Sequence, residues 1–139
     1  NRDLVLDIMG TDIDARMVEI AKENAQKAGV TSDITFKQMR VQDLRSDKIN
    51  GVIISNPPYG ERLSDDAGVT KLYAEMGEVL EPLKTWSKFI LTSDENFEKK
   101  FGRQADKKRK LYNGTLKVDL YQFFGERVRR QATSEKGNI

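Results

Sequence analysis

The hydrophobic positions of the chain fall into two kinds of segment, short apolar runs and longer stretches with helical spacing. The short runs are rich in β-branched and other apolar residues. They predict strands at residues 4–10, 34–36, 51–55 and 88–92. Between these strands the apolar side chains recur every three or four residues, which predicts helices.

Three helices follow from this spacing. The first begins after Asp14, a good N-cap, and ends at Gly29, a typical C-cap. The second covers about residues 69–83 and the third is short, at residues 96–101. The predicted inner face of the second helix consists of Leu72, Met76, Val79, Leu80 and Leu83.

The last part of the sequence predicts an antiparallel hairpin. Asn113-Gly114 is the strongest hairpin signal in the chain, and residues 110–112 and 116–124 flank it. Strands that alternate with helices before this hairpin indicate an α/β fold with a mostly parallel sheet. Residues 126–139 carry several charges and little apolar content, so we expect a basic, mobile tail after a domain that covers residues 1–125.

Two residue types are missing, and their absence narrows the possible chemistry. Histidine and cysteine are absent, which excludes Ser-His and Cys-His nucleophilic systems and thiolate metal sites. We therefore expect no metal, and chemistry that depends on carboxylates, amides, carbonyls, Tyr or Lys. No apolar run approaches the roughly 20 residues that cross a bilayer, so no membrane association is expected. The lack of cysteine favours a cytoplasmic location.

Charge is distributed unevenly although the formal net charge is only +2. Acidic residues outnumber basic ones up to residue 98, and basic residues outnumber acidic ones after it. A basic end on an otherwise acidic domain suggests a polyanionic partner. A solvated tail explains the same charge equally well.

The most informative motif is Asn56-Pro57-Pro58-Tyr59, which directly follows the apolar strand at residues 51–55. Each proline fixes φ and lacks an N–H, so the loop is rigid and has more acceptors than donors. An Asn side chain and free carbonyls can accept hydrogen bonds from an amino group, and the Tyr59 ring offers a stacking surface. These features favour methylation of a planar amine over a purely structural turn.

Two further sites follow the first two predicted strands. Asp12 and Asp14 come after the first strand, and Asp43-Leu44 lies beyond the second. Ligands of open α/β sheets bind at the carboxyl ends of the strands. Asp14 is interpreted mainly as a helix cap, and Asp12 is either a ligand or a solvated carboxylate. Asp43 taken alone is unremarkable, because aspartate is common in loops.

Together these segments resemble the class I S-adenosylmethionine-dependent methyltransferases, which have a Rossmann-like fold. The resemblance rests on residues 10–14, on the helix through Ala21-Lys-Glu-Asn-Ala, on the Asp43 loop and on residues 55–62, Ser-Asn-Pro-Pro-Tyr-Gly-Glu-Arg. The extended motif is most similar to that of the 23S ribosomal RNA guanine-N2 methyltransferases, which often carry a THUMP domain. DNA adenine-N6 and release-factor glutamine methyltransferases share its four-residue core.

The resemblance implies S-adenosylmethionine as the cofactor. Asp12 would then bind its ribose and Asp43 its adenine amine, while Ile13 and Leu44 pack against the adenine. Asn56, in the motif loop, would lie beside both the cofactor and the target amine.

The resemblance also implies roles for the motif loop. Asn56 and the Pro57 carbonyl would hold the target amine, with Pro58 completing the loop, and Tyr59 would stack on a flipped base. The charges of the chain add a further prediction: Gly60, Glu61 and Arg62, together with Lys107, Lys108, Arg109 and Lys110 near the hairpin, contact phosphates of an RNA substrate, ribosomal RNA in particular, next to Tyr59. A solvated face explains the lysines equally well.

One feature departs from the family pattern. The family opens with a strand and a glycine-rich turn that binds the methionine end of the cofactor, and this chain contains no Gly-x-Gly. We therefore expect a C-terminal fragment that lacks the first strand, which in the family lies between the strands equivalent to residues 5–10 and 52–55. Such a fragment is expected to be inactive by itself.

The predicted function is methylation of an exocyclic amine of an RNA base, with guanine N2 of 23S ribosomal RNA as the first candidate. One alternative is adenine-N6 methylation of DNA or RNA. The other is a non-catalytic RNA-binding module that kept the fold without the cofactor.

Overall fold

The structure is a computed structural model that describes residues 6–57 and 66–126. The chain forms two compact units, Asn1–Leu44 and Arg45–Ile139. No helix within the described ranges is long and apolar enough to cross a membrane. The predicted tail lies outside these ranges from residue 127 onward.

The first unit is a β-α-β arrangement. Strand β1 covers Ile8–Asp12, helix α1 covers Ala15–Ala28 and strand β2 covers Ile34–Gln38. The two strands pair in parallel, with Asp12 opposite Gln38 at their carboxyl ends. Both strands therefore deliver their following loops to the same edge of the sheet.

Helix α1 begins and ends where its capping residues predict. The Asp14 carboxylate accepts a hydrogen bond from the Arg16 N–H, and Gly29 at the C-cap has φ +76°, a conformation that favours glycine. Only Val18 and Ala25 of this helix are buried. The buried strip is narrow because α1 packs on a sheet of only two strands.

The second unit contains a four-stranded sheet in the order β3-β4-β6-β5. Its strands are β3 (Val52–Ser55), β4 (Ser87–Thr92), β5 (Lys107–Asn113) and β6 (Leu116–Phe123). Strands β3 and β4 are parallel, whereas β6 is antiparallel to both β4 and β5. The predicted hairpin is confirmed, and its first strand starts earlier than predicted, at Lys107.

Helix α2 covers Asp66–Leu80 and helix α3 covers Phe97–Phe101. The prediction that α2 continues to residue 83 was wrong, because Pro82 lies in the turn that follows. The predicted inner face was also partly wrong. The fully buried positions are Val69, Tyr73, Met76 and Leu80, whereas Leu72 and Val79 are half-buried.

The α2–α3 layer packs on one face of the sheet through aromatic rings. The ring of Phe97 lies 5.1 Å from that of Tyr73, 5.0 Å from Phe101 and 4.8 Å from Tyr121, measured between centroids. Helices α2 and α3 approach each other at Gly77, where an added Cβ would lie 2.0 Å from the Phe101 carbonyl oxygen. We call this side of the sheet the helix-covered face.

Tyr121 makes this core sensitive to alkaline pH. Burial, reinforced by the Asp119 carboxylate, raises the pKa of Tyr121 to about 12 from an ordinary value of 10.0. Its hydroxyl donates to the Asp94 carbonyl over 3.2 Å. Below pH 10 the phenol is neutral in both the folded and the unfolded chain. Between pH 10 and about 12 only the unfolded chain ionises, so the folded state loses stability across this window.

We therefore predict that the Tyr121→Phe variant loses less of its folded structure between pH 10 and about 12 than the wild type does, when each protein is compared with itself at neutral pH. Far-UV circular dichroism across an alkaline titration measures this loss. Tyr112→Phe is the matched control, because Tyr112 is 68% exposed and lies outside this core. Equal alkaline curves for the wild type and Tyr121→Phe would contradict the prediction.

Candidate active site

The described part of the Asn-Pro motif lies at the carboxyl end of β3. Ser55 pairs with Ile90 of β4, so Asn56 follows directly at this edge of the four-stranded sheet. Asn56 is exposed, whereas Pro57 is buried and anchors the start of the loop. The remaining predicted site residues of this loop, Pro58, Tyr59, Gly60, Glu61 and Arg62, lie outside the described residues.

The carboxyl end of the adjacent strand β4 is fixed by buried hydrogen bonds. The hydroxyls of Tyr73 and Thr92 are 3.0 Å apart, and Thr92 is fully buried. Thr92 Oγ1 also accepts the Asp94 N–H over 3.1 Å. These contacts tie helix α2 to the loop that follows β4, on the same edge of the sheet as Asn56.

A buried ion pair completes this edge. The Asp94 carboxylate accepts a hydrogen bond of 2.6 Å from Lys100 Nζ, and their side chains are only 10% and 13% exposed. Asp94 Oδ1 also accepts the Asn96 N–H over 2.8 Å. Sequence reasoning missed Asp94. Its position two residues after a predicted strand was the only available signal.

In the first unit, Asp12 and Asp14 form a short chain of turns. Asp12 Oδ1 accepts the Asp14 N–H over 2.8 Å, and Asp14 Oδ1 accepts the Arg16 N–H over 2.9 Å. The Arg16 hydrogen bonds lower the pKa of Asp14, as expected for a carboxylate at a helix N-terminus. The interpretation of Asp14 as the N-cap is confirmed.

The loops after β1 and β2 are joined by two hydrogen bonds. The Met39 N–H donates to the Asp12 carbonyl over 2.9 Å, and Gln38 Nε2 donates to the Ile13 carbonyl over 3.1 Å. The Ile13 side chain is 65% exposed although it is apolar. Asp12 and Ile13 are thus an exposed carboxylate and an exposed apolar side chain on adjacent positions of a well-held turn.

Asp43 ends the 3₁₀ turn Val41–Asp43. Its two carboxylate oxygens accept hydrogen bonds from Nε and an Nη atom of Arg40, both over 3.1 Å. Leu44 follows and is half-buried. The four predicted cofactor residues Asp12, Ile13, Asp43 and Leu44 therefore all belong to the first unit, on the loops that follow its two strands.

Comparison with known proteins identifies the family. The model of the RMKL-like methyltransferase domain matches residues 1–122. The chain belongs to the RMKL-like methyltransferase domain family.

Similar proteins agree with this assignment. A Bacillus subtilis protein named "Putative RNA methyltransferase YpsC" is 53% identical over 96% of the chain, which covers 35% of YpsC. The ribosomal RNA large subunit methyltransferase K/L of Legionella pneumophila (strain Philadelphia 1) is 37% identical over 85% of the chain and 17% of that protein. SMU.472, crystallised with SAH, has a TM-score of 0.89 and 65% identity over 93% of the chain and 34% of SMU.472. The chain thus spans about a third or less of each of these proteins.

The hairpin of this methyltransferase domain carries the predicted RNA-contacting lysines Lys107 and Lys110 on opposite faces. Lys110 pairs with Asp119 on the helix-covered face, which β6 also lines with Tyr121 and Phe123. Lys107 pairs with Gln122, which lies between Tyr121 and Phe123 on β6. Because successive side chains of a strand point to opposite faces, Gln122 and Lys107 lie on the other face of the sheet. An RNA molecule that lies on one face of the hairpin therefore cannot contact the side chains of Lys107 and Lys110 in the same way.

The ion pair of Asp94 and Lys100 should be a strong contributor to the order of the candidate site. We predict that Lys100→Met destabilises the methyltransferase domain by about 3 kcal/mol, because it leaves a buried carboxylate without its cation. Hydrogen-exchange mass spectrometry of peptides from β4 and α3 measures the change.

The matched control for this prediction is Lys84→Met. Lys84 Nζ lies 3.0 Å from Glu81 Oε1, but both side chains are about 60% exposed. Removing an exposed pair should cost less than about 1 kcal/mol. Equal exchange in the two variants would show that the Asp94–Lys100 pair has no special importance.

Proposed function

We propose that the protein that contains this chain is an S-adenosylmethionine-dependent methyltransferase that modifies an exocyclic amine of an RNA base, with guanine N2 of 23S ribosomal RNA as the target. The observation that carries the proposal is the exposed Asn56 at the carboxyl end of β3, directly before the buried Pro57, in an RMKL-like methyltransferase domain. The names of YpsC and of methyltransferase K/L, both RNA enzymes, support the RNA substrate.

In this proposal Asn56 aligns and activates the exocyclic amine of the base, which is a weak nucleophile. The lone pair of an exocyclic amine is delocalised into the base and attacks poorly. Acceptance of its N–H groups by Asn56 Oδ1 and the Pro57 carbonyl favours a more tetrahedral nitrogen, whose lone pair is then available. The surplus proton leaves to solvent after the nitrogen has become positively charged, so no histidine base is needed. Positioning supplies most of the rate enhancement.

The loops of the first unit carry hydrogen-bond acceptors and an apolar side chain that suit this cofactor. Asp12 has one carboxylate oxygen bonded to the Asp14 N–H, and its other oxygen has no partner among the described residues. This oxygen suits ribose hydroxyls, and the exposed Ile13 suits a purine ring. A carboxylate oxygen accepts more than one hydrogen bond, so contact of Asp43 with an adenine amine is compatible with its hydrogen bonds to Arg40. When bound, S-adenosylmethionine supplies an electrophilic methyl group.

The first test identifies the product. The whole protein is incubated with unmodified 23S ribosomal RNA and isotopically labelled S-adenosylmethionine, and the digested nucleosides are analysed by mass spectrometry. We expect N2-methylguanosine. N6-methyladenosine would establish the adenine alternative. No labelled nucleoside, with a control methyltransferase active in the same mixture, would refute methyl transfer to this RNA.

The second test concerns Asn56. We predict that Asn56→Ala lowers the rate of methyl transfer at least about 100-fold, the usual loss for one well-placed transition-state hydrogen bond. The affinity for S-adenosylhomocysteine, measured by calorimetry, should change less than about threefold, which is below the loss of one hydrogen bond.

Asn24→Ala is the matched control, because Asn24 is an exposed asparagine within α1. It should leave both quantities unchanged. A large loss of cofactor affinity in Asn56→Ala would instead indicate that the loop has mainly a structural role.

A further inference from the structure

A cleft of about 350 Å³ opens on the helix-covered face of the second unit. It lies between α2, the end of α3 and the amino-terminal half of β4. Asn56 follows the carboxyl end of β3, which runs parallel to β4, so the cleft lies toward the opposite edge of the sheet. Its lining includes Gly77, Glu78, Glu81, Lys88, Arg103 and Phe123.

The unusual residue of this cleft is Lys88. It is only 3% exposed, and its ammonium makes no hydrogen bond or ion pair with the residues that the structure describes. Burial, together with the Arg103 guanidinium, lowers the pKa of Lys88. An unpaired buried ammonium is costly, and an anion in the cleft would offset that cost.

Arg103 places a second cation beside Lys88. Its guanidinium lies 5.7 Å from the centroid of the Phe123 ring, and Phe123 is the β6 residue that pairs with Lys88. No carboxylate lies within ion-pair distance of Arg103 among the described residues, although the charge of Glu81 acts on both Arg103 and Lys88 from a longer distance. The carboxylates of the cleft are Glu78 and Glu81, and Glu81 is already bonded to Lys84 over 3.0 Å.

The row of cations continues along the hairpin on the same face. Lys108 Nζ lies 5.8 Å from the centroid of the Tyr121 ring, and Tyr121 is two residues before Phe123 on β6. Lys110 follows, opposite the buried Asp119. Positions two residues apart on a strand are separated by about 7 Å. The row thus extends well beyond the cleft, which fits a polyanion better than a single small anion.

We propose that Lys88, Arg103, Lys108 and Lys110 form a phosphate-binding row, which holds successive phosphates of the RNA backbone and takes one phosphate into the cleft. This proposal rests on the proposed function, because it assumes an RNA substrate. It adds the surface of the protein that binds the RNA backbone. It positions the RNA without reading its sequence. Arg109 pairs with Leu120 on the other face and is not part of the row.

The test compares Arg103→Gln with Arg109→Gln in the whole protein. Both residues are exposed arginines from the same part of the chain, but only Arg103 faces the cleft. Binding to a fragment of 23S ribosomal RNA is measured by fluorescence anisotropy at several salt concentrations. Arg103→Gln should weaken binding about fivefold, the size of one charged contact, and lower the slope of log affinity against log salt by about one unit.

Arg109→Gln should leave both quantities unchanged. Equal losses in the two variants, or no loss in either, would overturn the proposal. Lys88→Met tests the cleft itself, with thermal melting as its folding control, and should behave like Arg103→Gln. If Lys88→Met does not fold, the comparison of the two arginines still decides the proposal.

A titration with inorganic phosphate distinguishes a site for the phosphates of an RNA backbone from a site for a free phosphate ion. Calorimetric titration with phosphate should show at most weak binding, because the row needs several linked phosphates. Phosphate binding that Lys88→Met abolishes, with RNA affinity intact, would overturn the RNA row in favour of a small-anion site. RNA binding with the expected salt slope, without any methylated nucleoside, would refute the proposed activity and leave the row in place.

Discussion

The packing of the Phe97 ring is the constraint on which the second unit depends. This ring contacts Tyr73 of α2, Phe101 of α3, and Tyr121 and Phe123 of β6, and it is fully buried. Aromatic pairs combine large buried area with directional contact. The short helix α3 therefore fixes the position of α2 on the four-stranded sheet, because a close-packed interior leaves little freedom for any of these rings.

This aromatic core positions residues at both ends of the β4 strand. At the carboxyl edge, Tyr73 reaches Thr92, and Tyr121 reaches the Asp94 carbonyl, so the core rings also hold the loop next to Asn56. Toward the amino edge, the pairing of Phe123 with Lys88 places an ammonium beneath α2 and α3. A polar edge with proposed catalytic chemistry and a cationic cleft are thus two consequences of a single aromatic cluster.

The first unit is ordered in a different way. It buries only small apolar side chains on α1, and the carboxylates of Asp12 and Asp14 are held by backbone N–H groups of the same turns. Asp12 is positioned by the Asp14 N–H, and the β1 loop is tied to the β2 loop through Met39 and Gln38. Local geometry therefore fixes this carboxylate, whereas long-range packing fixes the edge that carries Asn56.

Local signals in the sequence determined the types and the order of the elements and several of their ends. The Asp14 and Gly29 caps, the Asn113-Gly114 turn and the Asn-Pro motif after an apolar strand each depend on residues close together in the chain. The family resemblance also followed from such local motifs, and the match over residues 1–122 confirms it. These features are readable because backbone capping and turn chemistry involve neighbouring residues only.

Tertiary structure alone decided the rest. The buried roles of Tyr73 and Lys88, the pair of Asp94 with Lys100 and the alternation of β5 cations between two faces depend on which elements pack together. Tyr73 meets a partner 19 residues away, and Lys88 lies opposite Phe123. Hydropathy ranks tyrosine and lysine as surface residues. Only packing shows that their apolar parts are buried and what their polar ends can contact.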